Sequence, residues 1–240
     1  MKITFRISQK WSLTALVLGL ATSQIHAQHI NAGALSQTQG SQLYFDNAAT
    51  YVYTSSYARS LSYSNSGQFA GWFNHSNPSF TAHAITNQSG PPSPNAAAPG
   101  SFLQLRIETV AAGPTGGTFA FWDHGNASTT PTISLSVGQT VPSGNLFALS
   151  DVELGAGAPG ADPFGHVHGR RFGVNLPGDY LVGFRIIDTS VNGLNGGPIH
   201  TDSELFLMTF RAVAVPEPTA AALLGAGIVA FGIRCQQSKR

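Results

Sequence analysis

Residues 102–110 read FLQLRIETV, and their alternation decides the fold class. Leu103, Leu105 and Ile107 fall on one side, and Gln104, Arg106 and Glu108 on the other. A helix would scatter these positions around its circumference. A period of two is that of a half-buried β-strand. The same reading extends to residues 132–137 (TISLSV), 146–154 (LFALSDVEL), 180–187 (YLVGFRII) and 204–215 (ELFLMTFRAVAV). Between them lie turn signals: Gly113-Pro114 with Gly116-Gly117, residues 142–145, Pro177-Gly178-Asp179, and residues 192–198 (NGLNGGP). Short strands separated by Gly/Pro turns predict an all-β body, an antiparallel β-sandwich of immunoglobulin-like or jelly-roll-like form. Within it, residues 172–188 read as a hairpin turning at Leu176-Pro177-Gly178-Asp179. Residues 86–100 (TNQSGPPSPNAAAPG) read as an exposed loop.

Composition agrees with this. The 240 residues are enough for one sizeable domain, and 42% of them are hydrophobic, so a core can be buried. Gly 27 and Pro 14 favour a turn-rich chain over a helical bundle. The single Cys excludes a disulfide scaffold. The formal charge of +1 is unevenly distributed. Lys2, Arg6 and Lys10 sit at one end and Arg234, Lys239 and Arg240 at the other. The body between carries six arginines against ten acids, a net charge near −4, and no lysine. Phosphate recognition needs clustered Lys and Arg, so no nucleic-acid partner is expected.

The two ends read as addresses. Residues 1–27 form a secretory signal peptide: a basic start, an apolar run over 11–21 (WSLTALVLGLA), and a cleavage site at Ile25-His26-Ala27. Residues 28–214 are the body. Residues 215–240 open with Val215-Pro216-Glu217-Pro218 and continue through fifteen uncharged residues, 219–233, to a basic tail holding Cys235. As a helix this stretch reaches about 22 Å, short of the roughly 30 Å hydrocarbon core. A signal helix and a short C-terminal hydrophobic helix are thus expected at the ends. The terminal pattern resembles the bacterial PEP-CTERM sorting signal, with Pro216, Glu217 and Pro218 as its motif. The resemblance implies export and a transient inner-membrane anchor through 219–233. An exosortase-type enzyme would then cleave it, leaving the protein in the envelope, at the surface or in the extracellular matrix.

The body has seven histidines. His166 and His168 flank Val167, and on an extended strand positions i and i+2 share a face, so both imidazoles can reach one ion. His200-Thr201-Asp202 repeats the spacing with a nitrogen and an oxygen donor. His83 and His124, the latter in residues 121–125 (FWDHG), compete for a further ligand position. His29 and His75 read as solvated loop residues, Asp123 and Asp202 as turn or cap residues, and Arg170-Arg171 as a solvated pair. A body without Cys must build a metal site from His and carboxylate. That donor set suits zinc, with other divalent ions left open.

A resemblance bears on the metal. Residues 165–172 (GHVHGRRF), then Leu176-Pro177-Gly178-Asp179-Tyr180 and Gly183-Phe184, are similar to actinobacterial surface-anchored repeat domains associated with metal-transport loci. Residues 119–210, with Phe-Trp-Asp-His and Gly-Gly-Pro-Ile-His, resemble PEP-CTERM proteins repressed by the zinc uptake regulator. This implies zinc capture or supply under zinc limitation. The early Gly-His-Val-Asp motif of the actinobacterial domains has Ala82-His83-Ala84-Ile85 as its nearest counterpart, without the Gly or the Asp. Two other functions remain open. One is a structural or adhesive matrix protein associated with exopolysaccharide, with Trp72 and Trp122 as a sugar platform. The other is a metal-dependent hydrolase using Asp123 or Asp202 as base. His-Glu-x-x-His, Gly-x-Ser-x-Gly and phosphate-binding loops are absent, so catalysis is not expected.

Overall fold

The alternating stretch forms a strand, Leu103–Ala112, in which Leu103, Leu105 and Ile107 are fully buried. The computed structural model describes residues 29–87, 92–123 and 129–214. The expected signal peptide, the sorting segment with its two terminal helices, and His124 lie outside the described residues.

Thirteen strands are described, and they form two sheets. The smaller contains β1 (His29–Ala34), β2 (Leu43–Phe45), β5 (Ser79–Ala82) and β10 (Gly165–Val167), in the order β10-β5-β1-β2. The larger contains β3 (Ala58–Tyr63), β4 (Phe73–His75), β6 (Leu103–Ala112), β7 (Thr118–Trp122), β8 (Ile133–Ser136), β9 (Leu146–Ala148), β11 (Arg171–Val174), β12 (Gly178–Asp188) and β13 (Phe206–Ala212). Its order is β8-β7-β11-β4-β3-β13-β12-β6-β9.

The body is all-β, but the sheets are mixed rather than antiparallel. β1 runs parallel to β5, and β13 parallel to β3. The hairpin expected over 172–188 does not form. β11 pairs with β4 and β7, whereas β12 pairs with β13 and β6. The Leu176-Pro177-Gly178 turn therefore carries the chain across the sheet instead of folding it back on itself. Tyr180 seals this corner, its ring buried and its hydroxyl donating to the Leu176 carbonyl at 3.1 Å.

Both sheets contribute to one core, and phenylalanine dominates it. From the small sheet, Phe80 meets Phe184 at 5.5 Å and Phe172 at 6.3 Å between ring centroids. Phe45 meets Phe206 at 4.8 Å. Each such tilted pair adds about 0.5–1.5 kcal/mol beyond the area it buries. The large sheet also curls back towards itself. Beyond β8, the Gly138 N–H donates to the Val110 carbonyl at 2.7 Å and the Val141 N–H to that of Glu108 at 2.8 Å. The chain leaving one edge thus reaches β6, next to the other edge.

Three further expectations are corrected. Residues 86–100 are not simply an exposed loop: Ala96, Ala97 and Ala98 are buried, and the Asn95 carbonyl accepts the Ala34 N–H at 2.9 Å. Three small side chains in a row let the backbone pack closely. Trp122 is buried against Phe69 and Trp72, so it offers no open face to a sugar. Arg170 and Arg171 are engaged: Arg170 pairs with Asp123 at 2.6 Å, and Arg171 lies over the Phe69 ring and donates to Asn74.

Candidate metal centre

β5 is the middle strand on which the site is built. Its register places His166 opposite Thr81 on β10, and His29 opposite Ser79 on β1. Alternation then sorts the side chains. Ile30, Phe80 and Val167 point inward and are buried. His29, Ser79, Thr81, His166 and His168 take the other face. Val167 is the anchor that turns both neighbouring imidazoles outward. Gly165 precedes them under the backbone of the Leu149–Ser150 segment, where a Cβ would come within 2.6 Å of the Ser150 Cα. A side chain there would push β10 off its register.

His29, His166 and His168 each offer a ring nitrogen, and these atoms lie within 4.8 Å of one another. That spacing can hold one metal ion. His29 stacks on His166 with centroids 4.5 Å apart, and His168 stands edge-on to His29 at 5.5 Å. The Nε2 atoms of His166 and His168 touch. Each Nδ1 faces a hydroxyl of β5. Those of His29 and His166 lie 3.1 and 2.6 Å from Thr81 Oγ1, and that of His168 lies 3.4 Å from Ser79 Oγ. The Nε2 atoms of His166 and His168 are thus the ones that converge. Among the described residues no carboxylate or further histidine joins the three. Imidazole nitrogens at this spacing are suitable donors for a zinc-like ion.

The rings of His29 and His166 are biased towards the neutral form. Burial, then the charge of His168 and of His29, brings the His166 pKa down to about 4. Burial and then His168 lower that of His29. His75, away from the site, is also brought down to about 4 by burial, then by the Arg59 and Arg171 guanidiniums. In an unfolded chain these rings take up protons near pH 6.5. As pH falls below that value the unfolded state therefore binds protons first, and stability drops. Chemical denaturation of metal-free protein should show stability level above pH 6.5 and declining steadily from there to about pH 4, most of it restored in a His75→Gln, His166→Gln variant.

Two of the other expected ligands, His200 and His83, lie elsewhere. His200 is buried: its Nε2 accepts the Ala98 N–H at 2.8 Å and its Nδ1–H donates to the Ser41 carbonyl at 3.0 Å. With both nitrogens committed to backbone, it ties two loops together. The 172–188 hairpin that was expected to bring it beside the His-x-His strand does not form. His83 pairs through Nε2 with Asp46 at 2.9 Å, and Asp46 also accepts from Tyr44 and Asn95. Asp202 stands near Arg106 and Arg185 rather than beside the three histidines. His29, read from sequence as solvated, is the ligand candidate the sequence missed. The only signal for it was position: it is the first residue of a strand whose pairing with β5 is parallel and distant.

No family model, curated protein or solved structure matches the chain.

Proposed function

We propose that the protein is an exported envelope or surface protein that binds a divalent metal, zinc, for capture or supply when zinc is scarce. The observation that carries this reading is the convergence of His29, His166 and His168 on one face, each Nδ1 held by a β5 hydroxyl. Ligating histidines ordinarily have their second nitrogen fixed by an outer hydrogen-bond partner, and the Ser79 and Thr81 hydroxyls take that place here. Zinc itself comes from the resemblance to zinc-regulated proteins. The donors alone would bind copper at least as well, by the Irving–Williams order. Export and sorting rest on residues 1–27 and on Pro216, Glu217 and Pro218. Two sheets sharing one core support the sandwich description of the body.

The test is calorimetric titration of metal-free protein with zinc at pH 7. One ion per chain is expected, with Kd on the order of micromolar, about −8 kcal/mol. Absence of a heat signal, with no shift in thermal midpoint at excess zinc, would sink the proposal. The adhesive reading is weakened by the burial of Trp122. A hydrolase would need a base beside the metal, and among the described residues no carboxylate joins the three histidines.

A further inference from the structure

Thr81 has an unusual position: one side-chain oxygen lies within hydrogen-bonding distance of two imidazoles from different strands. Its Oγ1 is 2.6 Å from His166 Nδ1 and 3.1 Å from His29 Nδ1. β5 lies between β1 and β10, which puts its residue Thr81 within reach of a ring from each neighbouring strand.

A hydroxyl has one proton and two lone pairs. Two arrangements follow. In the first, the hydroxyl donates to one Nδ1 and accepts from the other. One ring then carries its proton on Nε2 and cannot ligate through that atom. In the second, both rings carry Nδ1–H and both donate to Oγ1, leaving both Nε2 lone pairs free. Only the second matches a metal held by two Nε2 atoms. Because the total number of ring protons is the same, the change is a tautomer shift of one imidazole with rotation of one hydroxyl.

We infer that Thr81 is a positioning residue that sets the tautomers of His29 and His166 together, so that the two rings present Nε2 to the metal as a unit. This rests on the metal-binding reading above. A valine at 81 keeps the shape and β-propensity but offers neither donor nor acceptor, and each ring is then free to take either tautomer and to turn. A serine keeps the oxygen.

The experiment compares wild type, Thr81→Val and Thr81→Ser in two measurements. The first is zinc titration at pH 7. Thr81→Val should bind about 10–100-fold more weakly, the range for loss of an outer partner of a ligating histidine, and Thr81→Ser should stay within a few-fold of wild type. The second is long-range nitrogen–proton correlation NMR of the imidazoles. In metal-free wild type, His29 and His166 should show opposite tautomers, and zinc should convert both to the Nδ1–H form. In Thr81→Val the metal-free rings should lose that correlation. Equal zinc affinity in wild type and Thr81→Val would overturn the inference, as would an unchanged tautomer pattern in Thr81→Val. The two readings fail separately. If wild type binds no zinc, the proposed function falls, while the metal-free spectra still decide whether Thr81 couples the rings.

Discussion

Replacing His166 and His168 together with alanine should weaken zinc binding by at least about 100-fold while leaving the fold intact. Two of three ligands are lost, and a lone imidazole holds zinc only weakly. The fold should tolerate the change because His166 is half-buried and His168 exposed, whereas the residue that fixes β10, Val167, is untouched. A stability change within about 1 kcal/mol is expected, as for surface substitutions generally. His29→Ala alone should produce a comparable loss of binding. His200→Ala should do the reverse. It strands the buried Ala98 N–H and the Ser41 carbonyl, at about 2–4 kcal/mol, yet leaves zinc affinity unchanged. Titration and urea denaturation on the same variants separate the two cases. Loss of zinc in His200→Ala with retention in the double variant would place the site elsewhere.

The largest effect on stability is expected at Asp188. This carboxylate is buried at the end of β12 and accepts four backbone N–H groups. Oδ1 takes those of Phe102 and Ser190 at 3.1 and 2.9 Å. Oδ2 takes those of Ile199 and His200 at 3.0 and 3.1 Å. It thus joins the start of β6 to the loop before β13. Asp188→Ala would leave these donors without their acceptor, each costing about 1–3 kcal/mol where water cannot reach. A net loss of about 4 kcal/mol or more is expected, a large part of the stability of an ordinary domain. Asp188→Asn should also be destabilising, because its amide directs N–H groups at other N–H groups. The check is the urea midpoint with the slope unchanged. A loss under about 1 kcal/mol would show that the loop finds other partners.

How much of this was legible in the chain follows from where each signal lies. β6, β8 and β13 announced themselves because one face is more deeply buried than the other, which writes a period of two into the sequence. β12, in contrast, is buried on both faces over much of its length and reads as an apolar run. β1, with its His, Asn, Gly and Ala residues, carries little such contrast. The His-x-His pair was readable because its two donors are two residues apart in the chain, one in β10 and one just past its end. Its third member was not. His29 reaches His166 only through the parallel pairing of β1 with β5, and no local pattern encodes which distant strands become neighbours. His200 misled for the same reason. Its spacing to Asp202 looked like a ligand pair, but the carboxylate that governs its loop is Asp188, which accepts its backbone N–H. Buried polar residues of this kind look like site residues until their hydrogen bonds are traced.

The three ligand positions have a consequence for the order of events in the life of the chain. His29 and His166 are brought together only when β10 docks on β5, a closure over 85 residues of chain. Contacts of such long range form slowly and late. An unfolded or half-folded chain therefore has no formed site with which to trap an ion in the wrong place. If the site binds metal as proposed, an ion held more tightly by the folded than by the unfolded state would lock the closure that made it. Metal supply would then set how long the finished molecule lasts, as well as what it carries.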